Sequence, residues 1–262
     1  MNTPTIKSIT IIGTGRVAHH LCHVFATNGL IIAEVVGRNM LKAIDLAKLC
    51  GAKPVGKLEQ VSQDADLYII AVSDDAIEEV INSLPSLDGL VVHTSGMKSQ
   101  QVFERNFARF GIFYPLQTFS FERKPDFSTI PVFVQSNSDE DTQLLWALGK
   151  MILSEVHVIS DTQRQRLHLA AVFVNNFSNA MYCIADEILT AEGLSFNALK
   201  PLLMETALKA LQMPPREAQT GPARRNDQGT LKQHFQLLQQ HPDFQKVYQT
   251  MTDYILNHYH NK

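Results

Sequence analysis

Short apolar runs alternate with helical patterns through the first half of the chain. The runs are almost continuously hydrophobic, as in strands covered on both faces, and their alternation with helices is typical of parallel β-α-β units. Strands are predicted over residues 9–12, 31–36, 52–55, 67–72, 90–93, 111–114, 132–135 and 156–159. Helices are predicted over residues 17–27 and 41–49. The pattern therefore predicts an α/β fold with a doubly wound, mainly parallel sheet.

The pattern changes to helix from residue 160 onward. Ser160 and Gln163 have the spacing of a capping box, which predicts a long helix to about residue 191, and Gly193 is expected to end it. Further helices are predicted over residues 196–211, 230–240 and from 242 onward. We therefore expect two domains, a sheet domain over residues 1–159 and an all-α domain over residues 160–262.

Composition argues against several classes of partner. The 262 residues carry a formal net charge of −3, which gives no electrostatic reason to expect nucleic acid or an anionic membrane. Three scattered cysteines, Cys22, Cys50 and Cys183, match no zinc-binding spacing and fit a reducing compartment. The apolar runs are too short to span a bilayer, and the first residues lack the pattern of a signal peptide. We therefore expect a soluble, cytoplasmic protein without a nucleic-acid or membrane partner.

A glycine-rich segment directly follows the first predicted strand. It reads Gly13-Thr14-Gly15-Arg16-Val17-Ala18, the G-x-G-x-x-A fingerprint of dinucleotide binding. Gly13 permits the tight turn, Gly15 lets the backbone approach a pyrophosphate, and Ala18 lets the helix pack close to the sheet. The pyrophosphate would lie on the amide groups at the start of the helix. The first domain is therefore predicted to be a Rossmann domain, with residues 13–17 as cofactor contacts.

The end of the second predicted strand indicates which dinucleotide is bound. NAD enzymes place Asp or Glu there to hold the ribose hydroxyls, whereas this chain has Arg38 followed by Asn39. The planar guanidinium of an arginine can pair with a 2′-phosphate. Glu34 is the competing acidic candidate, but it lies inside the strand, too early to reach the ribose. The sequence therefore predicts NADP(H), with Arg38 and Asn39 as contacts, and a solvated surface arginine is the alternative.

Polar residues also follow the fourth and fifth predicted strands. Ligands of such sheets bind along the carboxyl ends of the strands. Val72, Ser73 and Thr94 are therefore predicted to contact the cofactor on its ribose or nicotinamide side. Asp74 and Asp75 are expected to be N-caps of the next helix.

Several further motifs occur together with the fingerprint. They are His93-Thr94-Ser95-Gly96, Tyr114-Pro115-Leu116-Gln117-Thr118-Phe119, a helix with His168 and Asn176-Phe177, and Thr220-Gly221-Pro222-Ala223-Arg224 with Asp227. Over essentially its full length the chain resembles a family of NADP-dependent oxidoreductases in which a Rossmann-like domain precedes a helical domain of uncharacterised function. More distantly it is similar to pyrroline-5-carboxylate reductases and to β-hydroxyacid dehydrogenases related to 6-phosphogluconate dehydrogenase. The resemblance implies a homodimer whose helical domains complete the active site.

The chain departs from these relatives at two places. The β-hydroxyacid dehydrogenases carry a catalytic lysine four residues before an asparagine on the long helix. This chain has Ala171 before Asn175 and Val172 before Asn176 at the matching positions. Hydroxyacid chemistry of that kind is therefore not expected. Many members of the family have histidine where this chain has Tyr114, so a required proton transfer at that position is not predicted.

His168 is the main candidate for proton transfer. Hydride transfer to a carbonyl or imine needs a polar group that protonates or polarises the acceptor, and histidine titrates near neutrality. Asn175 shares the helical face of His168 and Asn176 is offset by about a quarter turn, and one of the two is predicted to orient the substrate through its amide. Our hypothesis is that His168 and Asn176 face the nicotinamide, and Ser95 is the third catalytic candidate. The alternative for His168 is a structural histidine at a helix interface, satisfied by a backbone carbonyl.

Two other polar groups have structural explanations. Arg224 and Asp227 follow a Gly-Pro turn and either anchor an anionic substrate or form an ion pair at the domain interface, of which we favour the structural role, since such residues on a loop usually make local bonds. His19, His20 and His23 lie beside Cys22, but no acidic ligand accompanies them, and no metal site is predicted.

The sequence as a whole predicts an NADP(H)-dependent oxidoreductase. It would transfer a hydride between the nicotinamide and a small carbonyl or imine substrate. One alternative is a non-catalytic NADP(H)-binding or redox-sensing protein, which the missing lysine makes credible. Another is a reductase with a deazaflavin as its hydride partner.

Overall fold

The computed structural model describes residues 5–260 of the chain. The chain divides into two compact units, Met1–Asn175 and Asn176–Lys262. This division comes later than the expected boundary after residue 159, because the first helix beyond that boundary, Asp161–Ala171, groups with the sheet.

The first unit contains a sheet that has eight strands within residues 5–260. The strands are β1 (Ser8–Ile12), β2 (Ile31–Val36), β3 (Lys53–Val55), β4 (Leu67–Ile70), β5 (Leu90–His93), β6 (Phe110–Pro115), β7 (Val132–Ser136) and β8 (Val156–Val158). Their order across the sheet is β3-β2-β1-β4-β5-β6-β7-β8. Neighbouring strands are parallel except β6 and β7, which pair antiparallel. The predicted doubly wound, mainly parallel Rossmann sheet is therefore confirmed.

Apolar side chains cover both faces of this sheet. Successive residues of a strand point to opposite faces, so Ile11 and Ile69 lie in one core cluster, whereas Ile12 and Ile70 lie in the other. Burying each such side chain contributes about 1.5–3 kcal/mol to folding. This two-sided burial explains why the strands read as nearly continuous apolar runs.

Five helices belong to the first unit as far as it is described. They are α1 (Arg16–Thr27), α2 (Met40–Cys50), α3 (Ile77–Ser83), α4 (Asp139–Met151) and α5 (Asp161–Ala171). The predicted capping box opens α5, because the Ser160 side chain accepts from the Gln163 backbone and the Gln163 side chain accepts from the Ser160 backbone.

The expectation that Asp74 and Asp75 cap a helix is wrong. Both lie in a 3₁₀ turn, Asp74–Ala76, whose N-cap is Ser73, and the N-cap of α3 is Ala76. Neither N-cap position has a side-chain capping hydrogen bond. The two acidic residues instead lie in the first turn after the Ser73 N-cap.

The second unit is helical in its described part. It comprises α6 (Ser178–Ala191), α7 (Lys200–Gln212), α8 (Pro215–Ala218), α9 (Pro222–Arg225), α10 (Gln228–Leu237) and α11 (Pro242–His260). A π-helical segment, Val172–Phe177, precedes α6, so residues 161–191 are helical throughout, as predicted. Gly193 follows with a φ of 69°. No helix within residues 5–260 has the length and apolar character needed to cross a membrane.

His93 is a polar residue within the core of the first unit. Its ring stacks on Phe103 with centroids 5.4 Å apart, and its Nδ1 accepts a hydrogen bond from the Ser95 amide at 3.2 Å. Burial, followed by the nearby charge of Arg164, lowers the pKa of His93 to about 4. The ring is therefore neutral in the folded protein at physiological pH.

We predict that His93 contributes to acid destabilisation of the fold. Its ordinary pKa is 6.5, so between pH 6.5 and about 4 the unfolded chain binds a proton that the folded chain does not. Stability should therefore fall as the pH falls through this window, by up to about 1.4 kcal/mol for each pH unit.

Urea denaturation of wild type and His93→Gln at pH 7 and pH 5 measures this contribution. The fall in the free energy of unfolding should be smaller in His93→Gln. His157→Gln, which replaces an exposed histidine, should keep the wild-type fall. An equal fall in wild type and His93→Gln would show that His93 is not responsible.

Candidate active site

The fingerprint turn between β1 and α1 is open where a dinucleotide would approach. Gly13 has a φ of 129°, and a Cβ atom there would overlap the carbonyl group of Ala71. Gly15 is the N-cap of α1 without a side-chain cap bond, and a Cβ on it would meet nothing within 4 Å. The first turn of α1 therefore leaves its amide groups accessible to an anion. Of the other predicted contacts in this turn, Arg16 is exposed, and Thr14 and Val17 are half-buried.

The end of β2 presents one exposed arginine and one capping asparagine. Arg38 is exposed, whereas the Asn39 side chain accepts a hydrogen bond from the Lys42 amide and caps α2. Glu34 is buried within β2, where its carboxylate binds Lys53 Nζ at 3.0 Å and the Ser62 amide at 2.9 Å. Glu34, the acidic alternative for a ribose contact, is therefore already engaged by Lys53 and Ser62.

The loops after β4 and β5 lie at the same carboxyl edge. Val72 and Thr94 are half-buried, and Ser73 is exposed. The buried Ser95 accepts hydrogen bonds at its Oγ from the amides of Met97 and Lys98, at 3.0 and 2.9 Å. Ser95 thus shapes the loop after β5, and its catalytic role stays a prediction.

His168 on α5 lies against two of the strand ends. Its Nδ1 is 2.9 Å from the hydroxyl of Tyr114, and the two rings meet edge to face with centroids 6.1 Å apart. A Cβ on Gly96 would lie 2.5 Å from Cγ and Nδ1 of His168. The loop after β5 can approach the imidazole this closely only because residue 96 is glycine.

Tyr114 is the partner that sequence reasoning did not select. Burial raises the pKa of Tyr114 to about 12, so its hydroxyl stays protonated at neutral pH. A neutral phenol can either donate a hydrogen bond to a bare Nδ1 or accept one from a protonated Nδ1. The sequence feature that could have indicated Tyr114 as a site residue is the position of the Tyr114–Phe119 motif at the carboxyl end of a predicted strand.

Hydrogen bonds from the Asp161–Arg164 ion pair, whose arginine is fully buried, tie the start of α5 to the loop after β5. The Arg164 guanidinium binds the Asp161 carboxylate at 2.7 Å and also donates to the carbonyl oxygen of Lys98. Asp161 in turn accepts a hydrogen bond from the hydroxyl of Ser99. Gln165 donates from its side chain to the carbonyl of Met97 at 2.8 Å. Sequence reasoning missed this network, although Asp161 and Arg164 have the three-residue spacing of a helical ion pair.

Asn176 belongs to a different unit from His168. It is exposed, belongs to the π-helical segment Val172–Phe177 and falls in the second unit, whereas His168 falls in the first. The role of Asn176 in orienting a substrate stays a prediction.

The remaining polar candidates make structural contacts, each within its own unit. Arg224 lies over the ring of Tyr259 at 4.4 Å from the centroid, and Asp227 caps α10 by accepting from the amide and hydroxyl of Thr230. His20 Nε2 is 2.7 Å from the carbonyl oxygen of Ser120. Within residues 5–260, no group of three or more His, Cys, Asp or Glu side chains is arranged to hold a metal ion.

Two family models match the sequence. One is described as an NADP oxidoreductase, coenzyme F420-dependent, and matches residues 8–95, which contain the fingerprint and Arg38. The other is a domain of unknown function, DUF2520, and matches residues 130–255, which contain His168. No curated protein matches the chain.

Solved structures share the fold over most of the chain. A Bacteroides fragilis protein described as a candidate NADP oxidoreductase is 34% identical, with a TM-score of 0.89 over 96% of this chain and 98% of that chain. An imine reductase from Myxococcus stipitatus in complex with NADP+ is 17% identical, with a TM-score of 0.68 over 96% and 93% of the two chains. A pyrroline-5-carboxylate reductase from Coxiella burnetii is 18% identical, with a TM-score of 0.59 over 97% of both chains.

These similarities differ in what they establish. The two reductases are too distant in sequence to show more than a common fold. The Bacteroides protein is a relative over nearly the full length of both chains, and the two family models account for both parts of the sequence. The chain therefore belongs to the family of NADP oxidoreductases in which a Rossmann domain is followed by the domain DUF2520.

Proposed function

We propose that this protein transfers a hydride between NADP(H) and a small carbonyl or imine compound, with His168 as the proton donor and acceptor. The observation that carries the proposal is the contact of His168 with Tyr114 and Gly96. It provides a titratable side chain at the sheet edge where the fingerprint and Arg38 lie. A cofactor site and a proton donor are the two parts that such a reduction needs.

The residues of the fingerprint turn and of β2 fit NADP(H). The open backbone at Gly15 and the accessible amides of α1 suit the pyrophosphate, while Gly13 permits the turn that exposes them. Arg38 is exposed and supplies a positive charge for a 2′-phosphate. Val72, Ser73 and Thr94 would line the ribose and nicotinamide side. When bound, the reduced nicotinamide supplies the hydride.

Tyr114 determines which nitrogen of His168 is available for proton transfer. The imidazole bonds Tyr114 through Nδ1, so Nε2, on the other side of the ring, is the atom that can face a substrate. In the reducing direction, His168 holds a proton at Nε2 for the oxygen or nitrogen of the acceptor. Afterwards the neutral ring keeps its Nδ1 proton bonded to the Tyr114 oxygen. In the oxidising direction the same bare Nε2 takes the proton back.

The class of substrate is supported by the distant reductases. The imine reductase binds NADP+, and a reductive aminase from Aspergillus terreus was solved with NADPH and ethyl-5-oxohexanoate. Both share this fold over most of the chain. A small carbonyl or imine compound is therefore the substrate class that we propose.

We also propose that the protein is a homodimer formed through its second unit. Several large apolar side chains of this unit are exposed, among them Met204, Leu208 and Leu211. These three have the spacing of one face of α7, and exposed faces of this kind mark association surfaces. A second copy of the chain is the proposed occupant, since symmetric self-association is the commonest way to cover such a surface.

We predict that Arg38 selects NADPH over NADH. Replacing Arg38 with alanine removes the positive partner of the 2′-phosphate and should weaken NADPH binding by about 10- to 100-fold, with NADH binding little changed. Thermal-shift titrations and dissociation constants for both nucleotides measure this. Arg105→Ala, which removes an exposed arginine in the connection between β5 and β6, is the matched control and should bind like wild type. Equal binding of NADPH and NADH by wild type would contradict the assignment.

A deazaflavin is the second candidate for a hydride partner. The observation that favours it is the description of the family model that matches residues 8–95. The same titration should therefore include coenzyme F420. Stabilisation by F420 without stabilisation by NADPH would replace NADP(H) as the proposed cofactor.

We predict that His168→Ala lowers kcat by about 10²- to 10⁴-fold while NADPH binding changes little, because the variant lacks the proton donor. Tyr114→Phe should cause a smaller loss, since the ring keeps its place but loses its partner at Nδ1. NADPH oxidation with a panel of aldehydes, ketoacids and cyclic imines provides the measurement. Leu169→Ala, which truncates an exposed neighbour of His168, should retain turnover. Full turnover by His168→Ala would rule out the proton-transfer role.

We predict a solution mass of about twice the 29.4 kDa of one chain. Leu208→Glu places a charge in the proposed apolar interface and should shift light-scattering mass towards the monomer. Thr206→Glu adds the same charge on the opposite face of α7 and is the control. A monomeric mass for wild type at micromolar concentration would refute the dimer.

A further inference from the structure

Arg164 is an energetically costly residue for the fold to retain. It is the largest fully buried side chain within residues 5–260, and its Nε has no hydrogen-bond partner among those residues. A buried unpaired donor costs about 1–3 kcal/mol, and buried ion pairs are often no more stabilising than apolar replacements. Stability alone therefore does not account for an arginine at this position.

The bonds of Arg164 join two segments that contact His168. The guanidinium binds Asp161 within α5 and the carbonyl oxygen of Lys98 in the loop after β5. That loop also contains Gly96, whose backbone lies against the His168 ring. Arg164 and His168 are four residues apart, so they lie on the same face of α5, one turn from each other. The bond from Arg164 to the Lys98 carbonyl thus fixes α5 to this loop one turn before the imidazole.

The charge of Arg164 also influences the pKa values of two residues near His168, which are His93 and Tyr114. It is a secondary cause, after burial, of the low pKa of His93, and the neutral His93 ring accepts from the Ser95 amide. It also opposes the rise that burial causes in the pKa of Tyr114. Arg164 therefore lies near both of the strand ends between which His168 is held.

We propose that Arg164 is a positioning residue that holds the His168 ring against Gly96, with Nδ1 on Tyr114 and Nε2 left for the substrate. This inference rests on the proposed role of His168 in proton transfer. Arg164 itself touches neither substrate nor cofactor in this proposal. It acts by joining α5 to the loop after β5, so that the imidazole cannot turn or withdraw.

The ring nitrogens of His168 provide a test that needs no substrate. Nitrogen-15 NMR of histidine-labelled protein distinguishes an imidazole fixed in one tautomer by a hydrogen bond from one that exchanges between tautomers. His168→Gln identifies the signals by their disappearance, and Tyr114→Phe shows how they move when the Nδ1 partner is lost. In Arg164→Met the nitrogen-15 chemical shifts of His168 should differ from the wild-type values and move towards those of an imidazole that exchanges between tautomers.

Arg109→Met is the matched control for this comparison. Arg109 pairs with the buried Asp141 at the start of α4, in the same unit, so its loss removes a comparable ion pair. The variant should lose stability but keep the wild-type His168 signals. Should Arg164→Met fail to fold, Arg164→Lys replaces it, because a lysine keeps the charge but cannot provide the planar fork that reaches both acceptors.

Turnover with a cyclic imine and NADPH gives a second readout. Arg164→Met should lower kcat by about 10²-fold, the size of effect expected for a misplaced catalytic group, with NADPH affinity within about twofold of wild type. In a His168→Ala background the same substitution should have no further effect on kcat.

The two proposals can fail separately. Full turnover by His168→Ala would remove the catalytic role but leave the NMR comparison valid. Unchanged His168 signals in the folded Arg164 variant, or losses that add fully in the double variant, would overturn the positioning role.

Discussion

The geometry at the carboxyl edge of the sheet depends on two glycines, Gly13 and Gly96, where the backbone packs so closely against a neighbour that no side chain would fit. At Gly13 the turn after β1 runs against the carbonyl group of Ala71, and at Gly96 the loop after β5 runs against the imidazole of His168. The first approach determines where α1 begins and exposes its first amides. The second determines how closely α5 can lie to the strand ends. The fingerprint turn and the imidazole of His168 are thus both placed by main chain, which has fewer conformations available than long side chains.

The strands and the cofactor turn were predictable because their signals are local. Burial on both faces gives β2 and β5 largely apolar runs, interrupted by Glu34 in β2 and ended by His93 in β5, and the bounds of both strands agree with the prediction. The predicted capping roles of Asp74 and Asp75 were wrong because a 3₁₀ turn precedes α3. Such a short turn has no periodic pattern of apolar residues by which the sequence could reveal it. Tyr114 and His168 are 54 residues apart, and no local pattern pairs them. Their contact depends on how α5 packs, which the sequence periodicity does not specify.

The position of α5 shows how side-chain bonds can move a boundary between units. The amphipathic pattern of the chain changes at residue 160, and the capping box starts the helix there. Asp161, Arg164 and Gln165 nevertheless bond the first turns of that helix to the loop after β5. The unit that contains the sheet therefore extends to Asn175 and includes His168. Hydrogen bonds from three side chains in the first two turns of α5 outweigh the change in secondary structure.

The engagement of Glu34 has a consequence for redesign of nucleotide preference. Its carboxylate already binds Lys53 of β3 and the amide of Ser62 in the segment before β4, so it is not free to bind a ribose. Freeing it would leave a buried charge without partners, a change that destabilises proteins strongly. An engineered preference for the unphosphorylated nucleotide would instead have to introduce a new carboxylate at position 38, where the side chain is exposed and α2 is already capped by its neighbour Asn39.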